Sequence, residues 1–377
     1  MKKRTFRVAC VRCRSYDPAE VRKAMERAFE LSGGLPPLPG KVLLKANLLS
    51  PVDPGRAVTT HPEIVLSICE MLPDPSKAEI ADNPGYIFRH QEQELFEKTG
   101  MKAVGHKCGA RVSLLSRDGF ETLSLPGAVS LQTMRIARVL LNAPFVIDVA
   151  KLKTHVETEI TGSIKNMFGA ADTDTRKKAH SAIDQESLLN AVVDIYLARV
   201  PDLCVLDAVE GMEGRGPSHG RLVKPGWIAV ANNALALDAV QAVIMGYKDP
   251  FSIPLIKVAS RRLDGPSSLD EIELLGAEWK DLPVMDFRKA PGSIRMIPAF
   301  LRGLGHRLVI LKPLLNRDIC VRCGICAKVC PVEAITMDEN KFPVIDRAKC
   351  VRCLCCHEMC PTGAMEVKEN IISRLLK

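Results

Sequence analysis

The sequence is short of aromatic side chains, which make up 5% of its 377 residues, with two tryptophans and four tyrosines. No Lys/Arg tract interleaves with those rings, so the stacking and phosphate contacts of a nucleic-acid binder have no visible source. Long apolar runs are also missing. A membrane helix needs roughly 18 apolar residues, and the best candidate, Val139–Ala150, is interrupted by Asn142, Pro144 and Asp148. The opening Met1-Lys2-Lys3-Arg4 carries the charge of a signal n-region, but no apolar h-region follows. No integral membrane segment and no nucleic-acid partner are therefore expected. Nucleotide loops are absent too: neither GxxxxGKS nor GxxxxGKT occurs, and the glycines near Gly214 do not fit GxGxxG.

Cysteine is abundant, with fourteen residues, and eight of them fall into a repeat. Cys320-x-x-Cys323-x-x-Cys326-x-x-x-Cys330-Pro331 recurs thirty residues later as Cys350-x-x-Cys353-x-x-Cys356-x-x-x-Cys360-Pro361. Two-residue gaps let one short loop wrap three corners of a 4Fe–4S cubane, and the fourth thiolate comes from the other motif. The spacing thus predicts two 4Fe–4S clusters. Cys320, Cys323, Cys326 and Cys360 would hold one, and Cys350, Cys353, Cys356 and Cys330 the other. Structural zinc uses paired CxxC knuckles and needs neither the third cysteine nor the Cys-Pro. The remaining thiols, Cys10, Cys13, Cys69, Cys108, Cys204 and Cys355, are scattered as reduced cysteines are. Together with oxygen-sensitive cubanes they lead us to expect a reducing, cytoplasmic setting. Cys355 aligns with Ile325 of the first motif and reads as a packed residue. Cys10-Val11-Arg12-Cys13 resembles a third CxxC, but residues three apart on a strand face opposite sides, so it reads as structural. The clusters also alter the charge. The formal +8 treats every cysteine as neutral; eight thiolates and two oxidised cores lower it to about +4.

Upstream, apolar runs alternate with helical periodicity. Strands are expected at Phe6–Cys13, Lys41–Ala46, Ala78–Ala81, Arg111–Leu115, Glu121–Leu125, Ala137–Leu141, Phe145–Val149, Leu203–Asp207 and Trp227–Ala231. Helices are expected at Pro18–Leu31 (capped by Asp17), Pro62–Leu72, Ile87–Thr99, Gln185–Arg199 and Ala234–Met245. This pattern predicts an α/β fold: a mixed or largely parallel sheet flanked by helices, with its ligand site at the carboxyl ends of the strands. A small α+β ferredoxin-like domain follows. The expected units are residues 1–285, a basic linker at 286–315 in which prolines and glycines interrupt any helix, and the ferredoxin-like domain at 316–377.

Two strand ends carry candidate chemistry. After Phe145–Val149 come Lys151, Lys153 and His155, then Lys165 and Asn166, a set suited to binding and polarising a phosphate or carboxylate. After Leu203–Asp207 come Asp207 and Glu210, then Gly211, Gly214, Gly216 and His219; glycines permit close backbone approach and can form an anion nest. Lys153, His155, Asp207 and Glu210 are the catalytic candidates, with His219 as a further proton carrier. Lys151, Lys165, Asn166, Gly211, Gly214 and Gly216 are the cofactor-binding candidates.

These stretches, with Lys45-Ala46-Asn47-Leu48, Thr60-His61-Pro62-Glu63, Asp82-Asn83-Pro84-Gly85 and Leu237-Asp238-Ala239-Val240, resemble the domain-of-unknown-function 362 family in its ferredoxin-fused form. The resemblance implies an iron–sulfur protein and a fold more than an activity. It also extends distantly to the N-terminal domain of nickel-dependent lactate racemase, which implies a lysine that tethers a nickel-pincer nucleotide and histidines that ligate nickel. Lys151, Lys153 and His155 are the positions loosely matching those parts. Whether an organic cofactor or further metal binds the larger domain is left open. Three functions follow: a redox enzyme fed by an electron donor or acceptor protein and acting on a small molecule, an electron-transfer or assembly protein that docks a partner, or a non-redox isomerase or ligand-binding protein with structural clusters.

Overall fold

The computed structural model describes residues 4–182, 184–291 and 311–369. Much of the stretch read as a basic linker, residues 292–310, lies outside them. In chain order the strands are β1 (Phe6–Arg12), β2 (Val42–Lys45), β3 (Ala78–Asp82), β4 (Arg111–Leu114), β5 (Phe120–Leu123), β6 (Met134–Ala137), β7 (Phe145–His155) and β8 (Glu159–Ile160). They continue with β9 (Leu203–Glu213), β10 (Arg221–Val223), β11 (Trp227–Ala231) and β12 (Ile272–Leu275). The main sheet runs β12-β1-β11-β9-β7-β2-β3-β4, with β8 on β7 and β10 on β9. Strands β4, β3, β2, β7 and β9 are mutually parallel, and β11 is antiparallel to both β9 and β1. The sheet is mixed, as expected.

Helices α1 (Pro18–Ser32), α2 (Pro62–Met71), α3 (Glu92–Lys98) and α4 (Met101–Cys108) cover one face. The other face carries α5 (Arg138–Leu141), α6 (Gly162–Asn166), α7 (Thr173–His180), α8 (Gln185–Ala198), α9 (Ala234–Ile244) and α10 (Pro254–Ser260). α1 starts where its cap dictates: the Asp17 carboxylate accepts the Ala19 and Glu20 amides, and Pro18 has no N–H to satisfy. Its Val21, Ala24, Met25, Ala28 and Phe29 form the buried stripe. Full burial of a side chain such as Met25 or Phe29 contributes about 1.5–3 kcal/mol. Cys10 enters one core and Cys13 the other, as strand alternation requires.

Several boundaries moved. β7 runs on to His155, because Lys-Leu-Lys-Thr-His alternates with a strand's period and finds partners for both lysines. The basic cluster therefore lies on the strand itself. β9 likewise extends to Glu213, held by pairing with β10, so Glu210 and Gly211 belong to a strand and not to the loop after it. Residues expected as a strand at Ala137–Leu141 form helix α5, since a short apolar run carries no period that separates the two states. Helix α7 went unread in the sequence although Asp172 caps it through the Thr175 amide.

The C-terminal unit starts earlier than expected. β13 (Leu311–Leu315) pairs with β16 (Met365–Glu369), which puts the end of the supposed linker inside the ferredoxin-like fold. β14 (Ile335–Met337) and β15 (Pro343–Ile345) form a second ribbon, and the helical turns Ile325–Lys328 and Cys355–Glu358 follow the two CxxC loops.

Gly162 illustrates how tightly α6 is seated. Its φ is +61°, and a Cβ there would lie 2.4 Å from Asp238 Oδ1, the carboxylate that accepts the Ser163 and Ile164 amides. Gly34 shares a positive φ, +80°, but has open space around it. Gly162→Ala should therefore cost more than about 2 kcal/mol, and Gly34→Ala only about 1 kcal/mol. Denaturant midpoints of the two variants check the contrast; equal losses would contradict it.

Candidate functional site

In the parallel part of the sheet the chain passes from β2 to β3 and β4 on one side, then returns to β7 on the other. The crevice beyond the carboxyl ends of β2 and β7 is thus a topological switch point, where open α/β sheets hold ligands. Residues at those ends are charged yet buried. Lys45 Nζ donates to Asp82 Oδ1 at 2.7 Å, to Ala46 O at 2.8 Å and to Asn166 Oδ1 at 3.1 Å. Asn166 also accepts from Asn47 Nδ2 at 2.8 Å and donates to Asp148 Oδ1 at 2.7 Å. Lys153 Nζ donates to Asn47 Oδ1 at 2.8 Å and Val58 O at 2.7 Å. Burial lowers the Lys153 ammonium to about 7, with Glu358 and Asp82 opposing. Burial raises Asp148 to about 7 against the pull of Lys45, Ser163 and Asn166, and raises Asp238 to about 8. Groups poised near neutrality gather at functional sites.

A cleft opens on this network. Its α/β wall includes Asn47, Lys153, His155, Lys165, Asn166 and Arg176. Its opposite wall belongs to the ferredoxin-like unit: Val329, Pro331, Cys355, Glu358 and Met359, all neighbours in sequence of cluster-motif cysteines. Apolar contacts weld the two units. Leu49, Tyr86, Ile87 and Phe88 pack against the cysteine core, and Gly85 approaches Met359 so closely that a Cβ would be 2.5 Å from its sulfur. Leu354 holds a left-handed φ of +54° at the position filled by Gly324 in the first motif, and packs with Val156 and Val367.

His155 faces this second wall. Its Nδ1 accepts the Glu157 amide at 3.2 Å, so the neutral ring carries its proton on Nε2, 3.9 Å from Glu358 Oε2. Burial first, then Lys165, His180 and Lys153, pushes its pKa well below the usual value. Ligand atoms of His155, Glu157 and Glu358 lie within 4.8 Å of one another. A cation on Nε2 would force a proton onto Nδ1 against the Glu157 N–H, so the ring suits hydrogen-bond donation better than metal ligation.

The structure brings Lys153, His155, Lys165 and Asn166 together in the cleft. Lys151 and Asp207 are elsewhere: they form a wholly buried ion pair at 2.9 Å, joined by Tyr16, whose ring stacks on His61 at 3.5 Å. Glu210 pairs with Lys224 at 3.0 Å. Gly211 and Gly216 are glycines because β7 lies against them; a Cβ would meet Leu152 at 2.5 Å and Thr154 O at 2.0 Å. The Gly214 amide donates to Arg288 O. None of the three lines the cleft, although Pro217 of the same loop does. His219 packs on Gly363 and edge-on to His357, docking the loop to the ferredoxin-like unit. With Lys151 tied to Asp207, and Lys153 to Asn47 and Val58, neither fits a lysine tether for a nickel cofactor. Cys355, read as a packed bystander, is buried but also lines the cleft. Lys45, Asp82, Arg176, Lys177 and His180 were missed as site residues, the last three because they lie on the unread helix α7.

Cys320, Cys323, Cys326 and Cys360 line one pocket, which draws thiols from both motifs. A pocket with four convergent thiols suits an iron–sulfur cubane. Cys356 is held high by burial and then by the nearby thiols of Cys353, Cys350, Cys326 and Cys330, which come from both motifs. The Ala334 amide donates to Cys330 Sγ at 3.1 Å.

Residues 42–243, more than half of the chain, match the model for a domain of unknown function, DUF362. The chain belongs to the DUF362 family. Residues 319–364 match a 4Fe-4S dicluster domain. This DUF362 protein is 27% identical over 272 residues to the thylakoid-associated protein sll1697 of Synechocystis sp., covering 67% of its own length and 78% of the relative's. Over 59 residues it is 42% identical to pyruvate synthase subunit PorD of Pyrococcus furiosus, spanning 15% of its own length and about half, 55%, of that subunit. Among solved structures it is similar to the lactate racemase apoprotein from Thermoanaerobacterium thermosaccharolyticum, with a TM-score of 0.39 and 13% identity, covering 62% of this chain and 55% of that one. The chain therefore carries an iron–sulfur, electron-transfer type of domain. Among the described residues no helix is long and apolar enough to cross a membrane.

Two outcomes test the buried network. Asp82→Ala strands the Lys45 ammonium and should cost about 3–5 kcal/mol, much of it recovered in a Lys45→Met/Asp82→Leu double variant; denaturant unfolding measures both, and an additive double variant would contradict the pairing. Lys153 titrates at about 7 when folded against 10.5 for the free side chain, so its buried charge penalises the fold fully below pH 7 and fades as pH rises toward 10.5. Wild type should therefore gain stability on Lys153→Met between pH 7 and 10, by at most about 1.4 kcal/mol per pH unit. A flat difference would place the pKa elsewhere.

Proposed function

We propose that this protein is a redox enzyme in which two 4Fe–4S clusters exchange electrons with a small-molecule substrate or cofactor bound in the cleft. One observation carries the reading: the cleft is walled on one side by polar groups of β7 and α6 and on the other by residues adjoining Cys330, Cys356 and Cys360. Residues of the Lys151–Gly169 stretch and Pro217 of the glycine loop converge there, as an active site requires and a convex docking surface does not. Cys320, Cys323, Cys326 and Cys360 would hold the outer cluster, and Cys350, Cys353, Cys356 and Cys330 the one behind the cleft wall. The clusters supply single electrons at low potential when bound.

The chain's own residues do the remaining work. Asn47 and Lys153 form the floor and present hydrogen-bond donors to a bound molecule. Lys153, poised near pH 7, can give up or take back a proton at Nζ. His155 presents Nε2–H toward Glu358 and is neutral across the physiological range. The apolar contacts of Tyr86, Phe88 and Met359 keep water from the wall between cleft and cysteines. Cys323 is exposed, which suits exchange with an external electron donor or acceptor protein at the outer cluster.

Anaerobic reconstitution should give about eight iron and eight sulfide per chain. Dithionite-reduced protein should then be reoxidised on adding substrates drawn from a panel of small reducible acids, and Lys153→Met should slow that reoxidation about 100-fold or more without altering iron content. Reoxidation that is unchanged by the substitution would remove Lys153 from the site. A reduced protein inert to every small molecule but oxidised by a carrier protein would favour simple electron transfer.

A further inference from the structure

The buried cations in and beneath the sheet end divide into two kinds. Lys45, Lys151 and Lys153 are buried and committed, each donating at least two hydrogen bonds to the fold itself. Lys165 is also buried, at 8% exposure, yet among the described residues its ammonium has no hydrogen-bond acceptor and no ion pair. It lies 3.9 Å over the Phe168 ring, and Glu358 and Glu157 act on it only through space. Arg176 gives one nitrogen to Pro84 O at 3.0 Å, while its Nε is buried without a partner. Thr161 Oγ1 is buried and unpartnered as well. Lys177 has no carboxylate partner among the described residues and sits 5.5 Å from the Tyr86 ring. All four side chains line the cleft.

A desolvated cation whose N–H groups meet no acceptor is costly even with carboxylates nearby, and folded chains keep one where something else supplies the acceptor. The committed lysines show that this fold can supply acceptors when the charge is structural. Resting on the reading of the cleft as a substrate site, we propose that it binds a small molecule with at least two anionic groups, carboxylate or phosphate, gripped by Lys165, Arg176 and Lys177 with Thr161 donating its hydroxyl. A planar guanidinium beside an ammonium suits either oxyanion. The grip fixes which end of the ligand is anchored at α6 and α7, and leaves the rest against Cys355, Glu358 and Met359, where electrons arrive.

Isothermal titration of the oxidised, cluster-loaded full chain with succinate and, separately, with inorganic pyrophosphate tests this without any electron donor. Saturable, salt-sensitive binding of one probe is expected, and the probe that binds distinguishes carboxylate from phosphate. Arg176→Gln and Lys165→Met should each weaken it about 10- to 100-fold. Lys165→Met should also melt at the same temperature as wild type or higher, because it removes a buried ammonium that no acceptor solvates. Absence of binding by both probes, equal affinity in the variants, or a fall in the Lys165→Met melting temperature would each overturn the proposal. Anion binding with no substrate-dependent reoxidation would sink the redox reading and leave this one standing; reoxidation by neutral molecules, with no anion binding, would do the reverse.

Discussion

Burying lysines beneath the end of a sheet constrains everything around it. Lys45, Lys151 and Lys153 are all at or below 1% exposure, and an ammonium removed from water costs stability unless hydrogen bonds and counter-charge offset its desolvation. Asp82 and Asn166 answer Lys45, Asp207 and Tyr16 answer Lys151, and Asn47 answers Lys153. Those answers tie β2 to β3, β7 to β9, and both to α6. Even the glycines obey: a Cβ on Gly169 would fall 2.8 Å from Asp82 Oδ1. The polar floor of the cleft is thus rigid for the same reason that it is charged.

The second wall follows from a different economy. The ferredoxin-like unit meets the α/β unit through apolar contacts and through Leu354, which tolerates a left-handed backbone that costs roughly 1 kcal/mol because Val156 and Val367 bury its side chain. The equivalent residue of the first motif is Gly324, with no such contact. The two near-identical cysteine loops are therefore asymmetric. One is half-open to solvent at Cys323, and the other is built into the cleft. An electron path with a solvent end and a substrate end needs this asymmetry.

How much of this the sequence discloses depends on the kind of signal. The cysteine repeat is local and rigidly spaced, so the iron–sulfur domain was legible from Cys320 to Cys360. The α/β class was legible from apolar alternation, although Lys153 and His155 turned out to lie within β7 and Lys165 and Asn166 on α6. What failed was non-local. Nothing around Lys151 says that its partner is Asp207, because that pairing depends on β7 lying beside β9. Gly211 and Gly216 looked like a nest for an anion, yet their small size answers to Leu152 and Thr154 on the neighbouring strand. Helix α7 has a mean composition too polar to stand out, so Arg176 and His180 stayed hidden although Asp172 marked its start.

The proposed redox role requires that the cleft and the cluster expected on Cys330, Cys350, Cys353 and Cys356 form one working site. Low-temperature electron paramagnetic resonance of the dithionite-reduced full chain should resolve two interacting clusters, and simulation would assign a spectrum to each. Substituting Lys165→Met, at the cleft, should shift the signal of that cluster and leave the signal of the Cys320, Cys323, Cys326 and Cys360 cluster unchanged. Equal shifts in both, or a shift confined to the outer cluster, would contradict the account.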